Sequence, residues 1–196
     1  MEEQKITIRP LSPDLCEDWL HFFDKTAFED HQDWAFCYCL EGHLKHETHE
    51  EWTNPEERRE KAIELIHAGQ MQGYLACLDN TVIGWCNTND RKNYPYLTDM
   101  FQDIGYLPEE DADARVKAIY CFLVAPKYRR RGVAQSLLNR ICEDAAKGGY
   151  HCIEVYPFSD ETFEFPYHGT CKMYQRNGFT EVATLNYVKI MRKDLS

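Results

Sequence analysis

The segment from Ala118 to Leu138 constrains this chain more than any other. Ala118 to Ala125 is a continuous apolar run and reads as a central strand buried on both faces. It empties at Pro126 into the basic turn Lys127-Tyr-Arg-Arg-Arg131, and Gly132 then opens a helix directly. That helix carries Val133, Leu137, Leu138, Ile141, Cys142 and Ala145 on one stripe and stops at Gly148-Gly149. The backbone N–H groups of the turn and of the first helical turn have no partner within the helix, and the macrodipole adds partial positive charge at the same place. Gly132 lets a ligand approach the backbone with no Cβ in the way. The junction is therefore suited to holding phosphate. Neither Gly-x-x-x-x-Gly-Lys-Ser/Thr nor Gly-x-Gly-x-x-Gly occurs, so the common nucleotide loops are excluded.

Charge narrows the ligand. The chain has a formal net charge of −11, which argues against general nucleic-acid binding. Basic charge gathers instead at Lys127, Arg129, Arg130 and Arg131, a local spot that suits a small polyanion, while the acidic remainder favours a cationic amine as a second ligand. At 196 residues one domain spanning 1–196 is the expectation. No apolar run approaches the ~20 residues of a membrane span, and Met1-Glu-Glu-Gln-Lys5 lacks the apolar core of a secretory signal. A soluble cytoplasmic protein is expected. Nine cysteines, an odd number scattered through predicted strands and helices, read as small buried hydrophobes rather than a disulfide framework.

Around the central junction the pattern predicts a first strand over Lys5 to Arg9, then a helix after Ser12-Pro13 with Leu15, Trp19, Phe22 and Phe23 on one face. Phe28 to Trp52 is irregular. Asn54-Pro-Glu-Glu57 starts a second helix that ends near Gly69. Gly73 to Leu78 and Thr81 to Thr88 form a hairpin across Asp79-Asn80. The stretch from Asp90 to Arg115, ending in Glu109, Glu110, Asp111 and Asp113, reads as a long lid or binding loop. Cys152 to Tyr156 is another buried strand, Thr170 caps a short helix ending at Asn177-Gly178, and Phe179 to Thr184 pairs with Tyr187 to Arg192.

The spacing of Arg129, Gly132 and Ala134 after Phe122-Leu-Val-Ala-Pro126 resembles the pyrophosphate loop of the GNAT superfamily of acyl-CoA-dependent N-acyltransferases, and Met173-Tyr-Gln-Arg-Asn-Gly-Phe179 resembles its Leu-Tyr-x-x-x-Gly-Phe segment. The order of elements resembles the whole GNAT fold. The resemblance implies an α/β (α+β) fold: a mixed, mostly antiparallel sheet of six to seven strands, splayed at its centre and flanked by helices. It implies acetyl-CoA as co-substrate, an amine as acceptor and no metal; family members often pair, so a homodimer is expected.

Residue by residue, the resemblance implies that the backbone of Phe122, Leu123 and Val124 binds pantetheine and polarises the thioester, and that Arg129, Arg130, Arg131, Gly132, Val133, Ala134 and Gln135 hold the pyrophosphate. It makes Tyr174 the acid that protonates the departing thiolate, although a Tyr at that spacing also serves as a core aromatic. Tyr167 stands where many members have a side-chain amide. Glu154 alternates with Ile153 and Val155 inside a buried strand, where an unpaired charge is costly. It is either the base, as in several subfamilies, or a member of a structural ion pair, and ordered water is the other base.

Trp34, Phe36, Tyr38 and Trp52 form a wall of the acceptor pocket in this reading. Cys37, Cys39, His43, His46 and His49 invite a metal, but the spacing is poor for zinc, and Cys-x-Cys on a strand points its sulfurs to opposite faces. Two competing functions stay open: a non-catalytic acyl-CoA-binding module, and covalent transfer through Cys121, Cys171 or Cys39, of which Cys171 beside Lys172 has the most suitable local field.

Overall fold

The structure is a computed structural model that describes residues 5–45, 53–103, 105–106, 114–159 and 167–195. Seven strands form one sheet: β1 (Ile6–Pro10), β2 (Gly73–Leu78), β3 (Thr81–Asp90), β4 (Val116–Val124), β5 (Cys152–Val155), β6 (Thr180–Leu185) and β7 (Val188–Asp194). Their order is β1-β2-β3-β4-β5-β7-β6, and every neighbouring pair is antiparallel except β4 with β5. The described helices are α1 (Cys16–His21), α2 (Pro55–His67), α3 (Pro95–Asp103), α4 (Val133–Lys147) and α5 (Cys171–Arg176). This is the splayed, mostly antiparallel α/β arrangement the sequence led us to expect.

Strand alternation sorts the core into two halves. Leu75, Trp85, Ala118 and Leu123 pack with α1, α2 and α3 on one face, through Trp19, Leu20, Ala62, Leu65, Ile66, Leu97 and Phe101. Ile83, Ile119, Phe122, Ile153 and Val155 pack on the other face with Val133, Leu137, Leu138 and Ile141 of α4 and Tyr174 of α5. The apolar stripe read from residues 133–145 is thus the face that α4 buries against the sheet.

Local signals hold at several termini. Asn54 Oδ1 accepts from the N–H groups of Glu56 and Glu57 at 2.9 and 3.4 Å, fixing the start of α2. Thr170 Oγ1 accepts from Met173 N–H at 3.1 Å at the start of α5. Ser12, by contrast, makes no capping bond, and the stretch read as one first helix is a 3-10 turn (Pro13–Leu15), α1, and a wider turn (Phe22–Thr26) closed by Ala27 N–H on Phe22 O at 2.8 Å. The stretch read as a loop after Asp90 contains α3, held by the buried side chains of Tyr94, Leu97 and Phe101. Those apolar positions are spaced three and four apart, a helical period too short to stand out against their polar neighbours. Glu109, Glu110, Asp111 and Asp113 lie outside the described residues. Among the described residues no helix is long and apolar enough to cross a membrane.

Gly73 marks the tightest approach between β2 and β3. A Cβ there would stand 2.2 Å from the carbonyl oxygen of Cys86 and 2.3 Å from the buried Trp85 ring. The backbone oxygen is fixed by the sheet, so the clash has no cheap relief. Gly73→Ala is expected to destabilise the fold by about 3 kcal/mol, measured as a lowered midpoint in urea unfolding with an unchanged slope.

Candidate active site

β4 and β5 run parallel for only four pairs, Val116↔Cys152 to Ile119↔Val155, and then separate. A β-bulge falls at the point of parting. Asn87 pairs with Cys121 and Thr88 with Ile119, so Tyr120 is the extra residue on β4. The bulge puts Tyr120 and Cys121 both on the α1 and α3 side before Phe122 returns to the other face. Beyond it the amides of Phe122 and Val124 turn away from β3. The turn Tyr167 to Thr170 enters this opening. Phe122 N–H donates to Tyr167 O at 2.5 Å, and His168 Nδ1 donates to Tyr120 O at 2.6 Å. Burial lowers the His168 pKa, consistent with a neutral ring that carries its proton on Nδ1. The Val124 N–H has no partner among the described residues.

A cavity of about 600 Å³ lies over the opening. Phe122, Leu123 and Val124 form one side, together with Arg129 and Ala134 at the start of α4. Trp34 and Phe36 form part of the opposite wall, with Phe28, His31 and Tyr167 beside them. Glu41 contributes the carboxylate to the lining. Tyr38 does not line the cavity: its ring stacks on Phe23 at 5.9 Å and its hydroxyl donates to Asp24 at 2.8 Å. Trp52 lies outside the described residues.

The turn before α4 has the backbone of an anion cradle. Arg130 (φ +59°) and Gly132 (φ +80°) are both left-handed, and the first helical bond runs from Ser136 N–H to Gly132 O at 2.9 Å. The amides of Val133, Ala134 and Gln135 therefore precede the helical ladder. The side chains make separate contacts. Arg129 donates through Nε to Val124 O at 3.1 Å and grips Asp30 with its two terminal nitrogens. Gln135 exchanges amide hydrogen bonds with Asn177, at 2.7 and 3.1 Å, joining α4 to the end of α5. Arg130 and Arg131 are exposed, and the Arg131 guanidinium sits 5.9 Å from the Tyr128 ring centroid.

Tyr174 is buried, and its hydroxyl donates to His168 O at 2.7 Å. Gly169, which lines the cavity, lies against it: a Cβ built there would meet the Tyr174 oxygen at 2.6 Å. Burial raises the Tyr174 pKa well above the usual phenol value, so the proton stays on the hydroxyl. Glu154 lies apart from the cavity. Arg192 donates to its carboxylate at 2.6 Å, Arg91 at 3.1 and 3.2 Å, and the Tyr156 hydroxyl at 3.1 Å. This fully buried carboxylate holds β5, β7 and the turn after β3 together, which is the ion-pair alternative to the base.

The Cys-x-Cys geometry departs from the strand assumption. Tyr38 (φ +41°) and Cys39 (φ +49°) are consecutive left-handed residues, and Cys37, Cys39 and Cys121 all line the cavity. Trp85 Nε1 donates to Cys39 Sγ at 3.2 Å. Burial holds the Cys39 thiol well above its ordinary pKa, which disfavours a thiolate nucleophile. Cys171 is buried, and its thiol donates to Phe158 O at 3.5 Å. Of the histidines, His43 is packed against Tyr94 and near Asn87 Nδ2 at 3.4 Å; His46 and His49 lie outside the described residues.

The lining residues that sequence reasoning missed include Tyr120, Glu41 and Arg58. Tyr120 reaches the cavity through the bulge, Glu41 through an irregular turn, and Arg58 from the first turn of α2. Arg58 is buried, and it donates to the carbonyls of Phe36 and Cys37 at 2.9 and 3.1 Å with its guanidinium 5.4 Å from the Phe36 ring centroid. It pins the aromatic wall. The one visible hint was an arginine in the helix's first turns after a capping Asn, a place where acidic residues are favoured.

Compared with known families, residues 15–179 match the family model described as Acetyltransferase (GNAT) family. No curated protein matches the sequence. Solved structures share the fold at low identity. The PaiA N-acetyltransferase of Thermoplasma acidophilum in complex with coenzyme A is 20% identical with a TM-score of 0.58, covering 97% of this chain and 99% of that one. The Drosophila melanogaster polyamine N-acetyltransferase, which forms N-acetylagmatine, is 11% identical at 0.59, covering 97% and 100%. YncA of Salmonella typhimurium, a putative acetyltransferase with its cofactor acetyl-CoA, is 14% identical at 0.50, covering 97% and 94%.

Two buried groups near the site yield tests. Glu154→Gln leaves two guanidiniums without their counter-charge and is expected to cost about 3 kcal/mol of folding stability with coenzyme A affinity of the folded protein unchanged. Intact stability with abolished turnover would return the base role to Glu154. His43 has its pKa pulled down to about 4 by burial, opposed by the Asn87 amide. Its unfolded value is near 6.5, so between roughly pH 6.5 and 4 the unfolded chain holds the extra proton, and stability present above that window is lost as pH falls through it. The fold should lose about 2 kcal/mol between pH 7 and 5, and His43→Gln should flatten that dependence in denaturant titrations.

Proposed function

The chain belongs to the acetyltransferase (GNAT) family, and on that premise we propose that it moves the acetyl group of acetyl-CoA to a primary amine by direct attack in a ternary complex. The observation that carries this reading is the cavity bounded by the open side of β4, the anion-ready start of α4 and an aromatic wall. Two solved structures of the same fold hold coenzyme A or acetyl-CoA, which supports the donor. In this reading the amides from Arg130 to Gln135 bind the pyrophosphate, and the unpartnered Val124 N–H takes a pantetheine or thioester oxygen. The amine enters along Trp34 and Phe36 and attacks the carbonyl carbon. Its proton leaves through water at the cavity mouth, because Glu154 is committed elsewhere. Tyr174 protonates the thiolate by exchanging its bond to His168 O for one to sulfur, across the Gly169 backbone. We place the reaction in the cytoplasm, without a metal, with a small molecule or a peptide N-terminus as acceptor.

One observation favours a second reading, a module that binds acyl-CoA without turnover: Tyr167 O already occupies the Phe122 N–H on the open side of β4. Thiol release from acetyl-CoA with a panel of alkylamines, arylalkylamines, polyamines and peptide N-termini decides between the two. Release above the rate without amine is expected. Coenzyme A binding with no release on any acceptor would favour the module. Tyr174→Phe should lower kcat while leaving coenzyme A affinity nearly intact, and turnover equal to wild type across pH would remove Tyr174 as the acid.

The phosphate loop supplies its own test. Gly132→Val forces a branched side chain into φ +80°, costs about 1–3 kcal/mol in local strain, and is expected to weaken coenzyme A binding tenfold or more. Arg130→Ala should weaken it mildly, and more at low salt than at high salt. Calorimetry at two salt concentrations, with circular dichroism to confirm folding, measures both. Unchanged affinity in folded Gly132→Val would remove the phosphate-loop assignment.

A further inference from the structure

Tyr120 is the buried polar side chain of the cavity whose chemistry the proposed reaction leaves unused. It lines the cavity at 6% exposure, yet among the described residues its hydroxyl has no hydrogen-bond partner. The ring itself is fixed. It stacks on Tyr94 at 5.4 Å and meets the edges of Tyr96 and His168 at 6.4 and 5.4 Å. Its backbone is fixed as well, since its carbonyl accepts from His168 and its place on β4 is the bulge. The neighbouring polar side chains at this end of the sheet have protein partners: Tyr94 with Asn87, Asn87 with Cys39 O, and Tyr174 with His168 O. The Tyr120 oxygen is not sealed in the core but opens to the cavity, where water or a ligand can meet it. A hydroxyl fixed in position on a largely apolar cavity wall is placed to orient a ligand.

We propose that the Tyr120 hydroxyl binds the reacting nitrogen of the acceptor, accepting an N–H so that the lone pair points at the thioester carbon held beside β4. The assignment rests on the acyl-transfer reading. In the step, the C–N bond forms as the C–S bond breaks, the surplus ammonium proton passes to water, and the thiolate gains a proton from Tyr174, which recovers one from that water. Tyr120 itself neither gains nor loses a proton overall. Its pKa is raised well above the usual phenol value by burial, with the Glu41 charge adding to it, so the hydroxyl is neutral and able to accept throughout the working range. A bulge on the strand that binds the donor is a suitable place for such a group. One residue of extra chain turns a side chain toward the acceptor while the flanking amides stay with the coenzyme. The partner is thereby restricted to acceptors that present an N–H at the cavity floor between aromatic walls, and a tertiary amine is excluded.

The test is Tyr120→Phe, which keeps every ring contact and deletes the oxygen. Using the best primary amine from the panel, kcat/KM for the amine is expected to fall about ten- to a hundredfold. KM for acetyl-CoA and calorimetric affinity for coenzyme A should stay within about twofold, and the melting temperature should be unchanged or higher. A merely structural tyrosine would give the reverse, a lower melting temperature with a normal amine KM. Equal amine turnover in wild type and Tyr120→Phe overturns the assignment while leaving the acyltransferase reading in place; loss of coenzyme affinity in the variant overturns it by moving Tyr120 to the donor side. A wild type that releases no thiol with any amine removes the acyltransferase reading, and the Tyr120 assignment with it.

Discussion

The parting of β4 from β5 is the constraint on which the rest of the structure depends. Two parallel strands that stay paired leave no backbone for a ligand, and here pairing stops after four residues. The bulge at Tyr120 begins the divergence by adding a residue to one strand only. The divergence opens a wedge whose walls are main-chain amides. Covering it requires the aromatic turn before α2 on one side and the start of α4 on the other, and both are anchored to the sheet: Arg129 to Val124 O, Asn87 to Cys39 O.

Around that wedge the polar groups divide by whether the protein satisfies them. The Glu154 carboxylate accepts from two arginines and a tyrosine, an arrangement that ties β5, β7 and the turn after β3 together. Tyr174 has one hydrogen bond, from its hydroxyl to His168 O. The Tyr120 hydroxyl and the Val124 amide have none among the described residues.

Much of the site was legible because its carriers are local. A glycine turn, a helix start and a capping Asn or Thr are fixed by residues within four positions of one another, so the glycine turn before α4, α2, α4 and α5 follow from short-range rules. The aromatic wall at Trp34 and Phe36 was legible by its place in the chain order. Tyr38 was not, because two successive left-handed residues turn it into the core, and nothing in Phe36-Cys-Tyr-Cys39 announces a positive φ. α3 was hidden because its apolar positions are few and are buried by distant partners.

The sequence by itself determined the strand-turn-helix junction, the alternation of the sheet and, through them, the family of folds. Those depend on backbone sterics and on periodicity, which a stretch of roughly ten to twenty residues carries within itself. Tertiary structure alone decided which polar groups were left unpaired. Glu154 stood in a buried strand with no visible partner until Arg91 and Arg192, 63 and 38 residues away, closed on it. Tyr120 was one apolar letter in a strand until a bulge turned it to the cavity. Whether a buried oxygen is satisfied depends on partners brought together from across the chain, and hydrogen-bond satisfaction is a property of three-dimensional neighbours that sequence order does not encode.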